Sequence, residues 1–245
     1  MICFRFDRRA RICYYICTNQ RDYIQQGAIR YGDPSFRDPH QQLQRPLRVA
    51  MGHFATSHSH LNYYIDLTMT KHRLSEAKEV AAQLCDRISP VTVVDTILCL
   101  DGTEFIGACM AGELNRRGYA NYNAHNTIYV VTPEHTSGSQ LLFRENYAPM
   151  IIGKNVLVLA ASIATGYTIK SAVEAIRYYS GKPAGVCSIF ACMDECEGFP
   201  VNTIFTKKND LPDYISVSSH ECPMCKNQQK LDALVNAFGV SSFGG

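Results

Sequence analysis

The stretch VLVLAASIATGYT, at positions 156–168, decides the fold. It begins with four apolar residues, passes through small residues into Thr165-Gly166, and leads into a segment with the apolar spacing of an amphipathic helix. That spacing is carried by Ala172, Ala175, Ile176 and Tyr179. A short run that is apolar on both faces is typical of a strand in a parallel sheet covered by helices on both sides. The stretch therefore predicts a buried strand, a turn and a helix.

The same alternation of strands and helices continues on both sides of this stretch. Apolar runs predict further strands at positions 96–100, 128–131, 186–190 and 201–205. Helical spacing predicts helices at positions 75–88 and 104–117, and a last amphipathic helix built on Leu231, Leu234, Val235 and Phe238. This order indicates an α/β fold with a mostly parallel sheet flanked by helices.

The composition is that of a globular protein. Of the 245 residues, 46% are hydrophobic and 19% are charged, which excludes a mostly disordered chain. Lys and Arg together number 24 and Asp and Glu number 22, so the net charge of +2 gives no reason to expect nucleic acid or a membrane as a partner. No apolar run approaches the roughly 18 residues that a membrane-spanning helix needs.

The N-terminus is basic, and arginines interrupt any apolar signal segment at Arg5, Arg8, Arg9 and Arg11. We therefore expect a cytoplasmic protein whose 11 cysteines are reduced. Residues 1–19 are expected to form a loosely ordered extension. Residues 20–245 are expected to form one domain, with an N-terminal hood over about 20–75 and a C-terminal segment over 216–245 that contains cysteines and the last helix.

The turn after the central strand has the features of an anion site. Ligands of open α/β sheets bind at the carboxyl ends of the strands, and a helix that begins there presents unpaired amides and a positive dipole. Thr165 and Thr168 add hydroxyl donors, and Gly166 permits close approach of the backbone. The glycine spacing and the missing Lys exclude a Walker loop and a dinucleotide fingerprint. An ordinary connection between a strand and a helix is the alternative interpretation.

The segment resembles the 5-phosphoribosyl-1-pyrophosphate (PRPP) motif of type I phosphoribosyltransferases, in which a strand and a T-G-x-T turn open a helix. Other segments, in the same order, are similar to orotate phosphoribosyltransferase in particular. They are Gly52-His53-Phe54 with Tyr63-Tyr64-Ile65-Asp66, the DGTEFIG loop at 101–107, and Gly153-Lys154-Asn155. The resemblance covers about residues 50–215 of the chain.

The resemblance implies the fold of that family with its N-terminal hood, a homodimer, and binding of PRPP or a nucleotide 5′-phosphate, with orotate as a further ligand. It implies contacts to the phosphoribosyl group from Ala160, Ala161, Ile163, Ala164, Thr165, Gly166, Tyr167 and Thr168, and to the pyrophosphate from Gly102 and Thr103. If the chain is catalytic, Mg²⁺ accompanies the pyrophosphate and Asp101 assists it. Capping of the following helix is the alternative role for Asp101.

Two departures from the family's pattern bear on activity. Ala160 and Ala161 replace two adjacent acidic residues that hold the ribose hydroxyls, so two charge-assisted contacts of about 1.5–3 kcal/mol each are lost. The family's mobile loop carries Lys and Arg. In positions 118–153 of this chain, Arg144 is the only cationic residue besides histidines. One missing electrostatic donor costs about 10²–10³ in rate. We expect weak or absent transfer unless His135 and Arg144 substitute.

The C-terminal region contains a C-x-x-C segment, Cys222-Pro223-Met224-Cys225. Two thiolates at this spacing can bind one Zn²⁺. Under the metal interpretation, Cys192 and Cys196 supply the other two ligands of a structural site. Cys187 is a further candidate ligand. Plain buried thiols and a redox pair are the alternatives.

A histidine-rich segment, HFATSHSH, covers positions 53–60. No carboxylate is interleaved with His53, His58 and His60, so we expect a solvated or substrate-facing loop rather than a metal site. In the resembled family this segment packs over the base pocket, which implies contacts from His58 and His60 to a base or a phosphate.

Three functions are consistent with these residues. The first is an orotate phosphoribosyltransferase-like protein that binds PRPP or a nucleotide 5′-phosphate, with transfer weak or lost. The second is an active enzyme that makes orotidine monophosphate and pyrophosphate from orotate and PRPP, with Asp101, His135 and Arg144 as catalytic groups. The third is a non-catalytic partner-binding module whose C-terminal cysteines are the working part.

Overall fold

A computed structural model describes residues 47–117, 127–136 and 140–242, together with the backbone of Cys13–Cys17. The other parts of the expected extension and of the hood lie outside the described residues. The strands are β1 (Cys13–Cys17), β2 (Leu47–Ala55), β3 (His60–Ile65), β4 (Thr96–Cys99), β5 (Tyr129–Val131), β6 (Glu134–His135), β7 (Leu141–Leu142), β8 (Asn155–Ile163), β9 (Lys182–Ala191), β10 (Glu195–Cys196), β11 (Phe199–Thr206), β12 (Ser216–Val217), β13 (Ala233–Asn236) and β14 (Gly239–Ser242). The helices are α1 (Thr68–His72), α2 (Leu74–Arg87), α3 (Glu104–Arg116), α4 (Tyr167–Tyr178), α5 (Lys207–Asp210) and α6 (Pro223–Lys226).

The chain divides into two compact units. The central unit comprises Thr68–Asn209, and the terminal unit comprises Met1–Leu67 together with Asp210–Gly245. None of the helices in the described part of the chain is long and apolar enough to cross a membrane.

The central unit contains the predicted parallel sheet. Its strand order is β10-β11-β9-β8-β4-β5, and all of these strands run parallel except β10, which pairs with β11 in the antiparallel sense at one edge. The four predicted strands around β8 are present as β4, β5, β9 and β11. The prediction of an α/β fold with a mostly parallel sheet is therefore confirmed.

Helices cover the central strand β8 on both faces. The apolar side of α4, from Ile169 to Ile176, packs in one core cluster with Val156, Val158 and Ala160. On the other face, α3 brings Gly107 close to the side chains of Ile97 and Cys99 on β4. Because both faces are buried, a ligand can reach β8 only at its ends.

The terminal unit contains an antiparallel hairpin extended by distant segments. Strand β2 pairs with β3, so that Ala55 faces His60 across the hairpin. Strand β12 pairs with β3, and β13 pairs in parallel with β2. Strand β1 pairs with β2 over Cys13–Cys17, and the loosely ordered extension expected over residues 1–19 stays a prediction.

The predicted C-terminal helix is wrong. Residues Ala233–Asn236 and Gly239–Ser242 form a hairpin, β13–β14, whose loop is Ala237-Phe238. The burial of β13 alternates between buried and exposed residues, as in a strand with one covered face. The four apolar residues match the helical period, but the strand buries Ala233 and Val235 and leaves Leu234 and Phe238 exposed, because pairing with β2 selects the strand. Asn236 fixes the turn, because its Oδ1 accepts a 2.8 Å hydrogen bond from the amide of Phe238.

We expect the substitution Gly107→Ala in α3 to destabilise the protein. A Cβ at position 107 would press against Sγ of Cys99 and lie 3.2 Å from Cγ1 of Val130. Overpacking of a core costs about 1–3 kcal/mol, which exceeds the gain in helix propensity from alanine. Urea unfolding of the variant and the parent measures the difference in free energy.

Gly112→Ala in the same helix is the matched control. A Cβ at position 112 meets no atom within 4 Å, so this change should stabilise the protein by about 0.4–1 kcal/mol. Equal effects of the two substitutions would contradict the close packing of α3 on β4.

Candidate functional site

The turn between β8 and α4 is built around Gly166. This residue is the N-cap of α4 and has φ 78°, in the left-handed region that glycine adopts without strain. Its carbonyl oxygen accepts the first helical hydrogen bond, from the amide of Lys170 at 2.9 Å. The first amides of a helix have no carbonyl one turn earlier to bind, so this end presents donors and positive dipole. The predicted strand, turn and helix are thus present.

The side chains of the turn differ in what they offer to a ligand. Thr165 and Thr168 are exposed, and the Tyr167 side chain is 58% exposed. The side chain of Ile163 is buried, and its carbonyl oxygen accepts a 2.8 Å hydrogen bond from the amide of Cys192. The predicted cradle therefore consists of main chain and two threonine hydroxyls, without a contribution from the Ile163 side chain.

Ala160 and Ala161 do not present their side chains to a ligand. Ala160 is 1% exposed and packs in the core cluster with Val158, Ala172 and Val173. Ala161 is also buried. The methyl groups lie in the protein interior, so a contact of these residues to a phosphoribosyl group would come from their main chain and stays a prediction.

The loop after β4 carries Asp101 to the same edge of the sheet. Asp101 and Gly102 both have left-handed backbones, with φ 57° and 75°. Burial raises the pKa of the Asp101 carboxyl, while a hydrogen bond from the main chain of Ala161 and the nearby charges of Lys71 and His135 oppose this rise. A carboxyl group is therefore held beside the end of β8, next to Ala161.

The side chain of Thr103 has a structural role, and the predicted contact of this residue to pyrophosphate stays a prediction. Its side chain is fully buried at the N-cap of α3. The hydroxyl lies 2.8 Å from the carbonyl oxygen of Leu100 and 3.2 Å from that of Leu159, and it donates to this pair. The side chain therefore joins the end of β4 to β8. The expectation that Asp101 caps α3 is also wrong, since Thr103 occupies the N-cap.

His135 and Arg144 belong to the region of the β6–β7 hairpin. The guanidinium of Arg144 forms a bidentate ion pair with the carboxylate of Glu134, with Nη2–Oε2 at 2.6 Å and Nε–Oε1 at 3.0 Å. This pairing lowers the pKa of Glu134. His135 is exposed and acts electrostatically on Asp101. The catalytic roles of both residues stay predictions, and Arg144 would have to leave Glu134 to act.

Lys71 is a cation of this region that the sequence analysis missed. It lies in α1, it is buried, and its Nζ donates a 2.9 Å hydrogen bond to the carbonyl oxygen of Asp101. Its Nζ is also 3.6 Å from where a Cβ on Gly102 would lie. No motif marks Lys71, because α1 has only five residues and brings the ammonium to the loop through tertiary packing.

A group of two histidines and two cysteines lies within the terminal unit. The ligand atoms of His53, His60, Cys222 and Cys225 all lie within 4.8 Å of one another. Burial and the nearby His53 lower the pKa of His60, which favours its neutral form. The expectation that His53 belongs to a solvated loop is wrong, because this side chain is 1% exposed.

Cys192 and Cys196 are not members of this group, so the predicted set of four cysteines is wrong. Both belong to the central unit. Sγ of Cys196 lies 3.8 Å from the carbonyl oxygen of Gly166, at the turn after β8. Burial raises the pKa of Cys192 to about 11, which disfavours the thiolate that a metal needs. Cys187 is fully buried in β9, and burial raises the pKa of its thiol as well.

The chain is similar in structure to solved phosphoribosyltransferases. An adenine phosphoribosyltransferase from Thermoanaerobacter pseudethanolicus is 13% identical, with a TM-score of 0.45 over 59% of this chain and 88% of that chain. An orotate phosphoribosyltransferase from Mycobacterium tuberculosis, in complex with inorganic phosphate, is 14% identical, with a TM-score of 0.43 over 62% and 81%. The UMP synthase of Leishmania donovani is 15% identical, with a TM-score of 0.48 over 74% and 36%. No protein-family model and no curated protein sequence matches the chain.

We expect the substitution Asp101→Asn to stabilise the protein at neutral pH. The raised pKa means that ionising the parent carboxyl costs stability, and this cost grows as the pH rises through the folded-state pKa. Asparagine keeps an acceptor oxygen, tolerates the left-handed backbone and does not ionise. The advantage of the variant should shrink in acid, where the parent carboxyl is protonated. Melting temperatures of both proteins across a pH series measure the effect.

Asp194→Asn, at an exposed position of the same unit, is the control and should show little pH-dependent gain. An Asp101→Asn variant that is less stable than the parent at neutral pH would show that burial does not dominate at this carboxyl.

Proposed function

We propose that this chain binds the 5′-phosphate of a phosphoribosyl compound, PRPP or a nucleoside monophosphate, at the turn between β8 and α4. We propose further that it transfers the phosphoribosyl group weakly or not at all. The observation that carries the proposal is the left-handed Gly166 at the N-terminus of α4, between the exposed Thr165 and Thr168. The same three residues form the T-G-x-T part of the PRPP motif.

A phosphate dianion suits this turn for two physical reasons. The start of a helix combines unpaired amide donors with the positive end of the helix dipole. Threonine hydroxyls add donors that rotate to suit the anion. Because the donors are mainly main-chain groups, the cradle depends on the backbone conformation at Gly166 more than on side-chain identity.

Weak transfer is supported by what surrounds the sugar position. Ala160 lies in an apolar core and offers no hydrogen-bond acceptor. Asp101 is the carboxyl near Ala161, but it already accepts a hydrogen bond from the main chain and its ionised form is disfavoured by burial. The ribose hydroxyls therefore lack the paired carboxylates that hold them in the resembled family.

The position expected for pyrophosphate also offers few groups that bind Mg²⁺ or pyrophosphate. Mg²⁺ is usually bound by one or two carboxylates together with substrate phosphates. Asp101 supplies one carboxyl of raised pKa, and the ammonium of Lys71 lies beside its carbonyl oxygen. Glu104, the other carboxylate of this loop, accepts a 3.0 Å hydrogen bond from Thr132, so we expect Mg²⁺ to bind here only together with substrate phosphates. Arg144 is held by Glu134.

An active orotate phosphoribosyltransferase is the second candidate function, and Lys71 is the observation that favours it. Its buried ammonium lies beside the loop 101–107. From there it would neutralise the departing pyrophosphate. In that case Asp101 and His135, which interact electrostatically, would flank the reaction. The base specificity, orotate or another, belongs to this second proposal.

The first functional prediction concerns binding. PRPP or orotidine monophosphate, at about 100 times its dissociation constant, should stabilise the protein by about 2.7 kcal/mol, which corresponds to a rise in melting temperature of about 5–10 °C. Gly166→Ala should abolish this rise. An alanine there is strained at φ 78°, and its Cβ would lie 2.9 Å from Sγ of Cys196.

Gly153→Ala is the matched control for backbone strain. Gly153 has a similar left-handed backbone, with φ 71°, and a Cβ there meets no atom within 4 Å. This variant should keep the ligand-induced rise in full. If Gly166→Ala keeps the rise as well, the phosphate binds elsewhere and the proposal fails.

The second functional prediction concerns turnover. Pyrophosphate release from PRPP in the presence of orotate and Mg²⁺ should be weak or undetectable while the melting shift is present. Measurable release that falls by about 10²–10³ in Lys71→Met, with the melting shift retained, would instead establish the active enzyme. Release that is unaffected by this substitution would remove Lys71 from the second candidate.

A further inference from the structure

We propose that His53, His60, Cys222 and Cys225 bind one Zn²⁺ as a structural site of the terminal unit. The proposal does not depend on the phosphate site, because all four residues belong to the terminal unit and the turn after β8 belongs to the central unit. Two thiolates and two imidazoles are a common ligand set for structural zinc.

The distances between the ligand atoms fit a tetrahedron around zinc. With the usual Zn–N and Zn–S bond lengths, its edges are about 3.3 Å between two nitrogens and about 3.6 Å between nitrogen and sulfur. His53 Nε2 lies 3.0 Å from His60 Nδ1. Sγ of Cys225 lies 3.2 Å from His60 Nδ1 and 3.7 Å from His53 Nε2, and Sγ of Cys222 lies 3.5 Å from His53 Nε2. These separations require little movement to receive the ion.

The protonation of His53 also favours a metal. Its Nδ1 lies 2.9 Å from the carbonyl oxygen of Gln229, which can only accept a hydrogen bond. Nδ1 therefore carries the proton, and the lone pair of Nε2 points to the group. A hydrogen bond from the second ring nitrogen to a carbonyl is the usual support of a metal-bound histidine. His53 therefore offers Nε2 to the group as a metal ligand would.

Both halves of the site are held by regular structure. His53 lies in β2 and His60 begins β3, so the hairpin sets the separation of the imidazoles. Cys222 is the N-cap of α6. Its carbonyl oxygen accepts a 3.1 Å hydrogen bond from the amide of Lys226, so the C-x-x-C segment forms a helical turn. The amide of His53 donates to Oδ2 of Asp232 at 2.8 Å, which fixes the chain after this segment.

The site has a structural role rather than a catalytic one. Four protein ligands complete the tetrahedron and leave no position for water or substrate. Cys222 and His53 are almost fully buried, with exposed fractions of 0% and 1%. The ion would join the β2–β3 hairpin to the segment that leads from β12 to β13, and both of these strands pair with that hairpin. It would thereby fix the register of chain segments that are remote in sequence.

Metal analysis of the full-length protein tests the proposal. We expect about one Zn²⁺ per chain, and Co²⁺ exchanged into the site should show thiolate-to-metal absorption. Cys225→Ser, at an exposed ligand, and His60→Ala should each lose the metal and the absorption. A chelator should lower the melting temperature of the parent and leave that of Cys225→Ser unchanged.

Cys192→Ser and Cys109→Ser are the matched controls, and both should retain the metal. The proposal is overturned if the parent binds no Zn²⁺ after dialysis against the ion. It is overturned equally if Cys192→Ser removes the metal as completely as Cys225→Ser, or if protein purified without oxidant contains a Cys222–Cys225 disulfide. The melting shift caused by PRPP or orotidine monophosphate reports on the central unit. Its presence or absence therefore tests the proposed function separately.

Discussion

Burial of β8 on both faces is the constraint on which the central unit depends. Its apolar residues pack against α4 on one face and share the sheet with β4 and β9 at its sides. A strand in this position can meet a polar ligand only at its carboxyl end, where the chain leaves the sheet. The left-handed Gly166 makes that exit short and opens α4 directly after it. The packing of the strand therefore determines where the proposed phosphate site lies.

The same constraint separates binding from catalysis. A cradle of main-chain amides survives changes of side chain, as long as the strand, the turn and the helix keep their geometry. Contacts that hold the ribose hydroxyls and neutralise the pyrophosphate need charged side chains at particular positions. Here Ala160 belongs to the core, and a carboxylate in its place would be buried among apolar side chains. Under the proposed function, the chain keeps the backbone part of a phosphoribosyl site and lacks much of the side-chain part.

The sequence predicted the parallel sheet because long apolar runs and helical spacing are local signals. It failed at the C-terminus, where the apolar residues around Leu234 have helical spacing but pairing with β2 selected a strand. The spacing of Cys222 and Cys225 marked them as candidate ligands, but it did not predict that His53 and His60 lie beside them, because a hairpin far away in the chain supplies these histidines. The sequence missed Lys71 for the same reason, since only tertiary packing brings this ammonium to the loop after β4.

The central claim is that amides at the start of α4 hold a sugar phosphate. Amide-detected NMR of the isotope-labelled protein, titrated with ribose 5-phosphate, tests this most directly. The account predicts that the amide resonances from Thr165 to Ile169 shift together and saturate with one dissociation constant. Saturable shifts confined to other parts of the chain, with these amides unmoved, would contradict it.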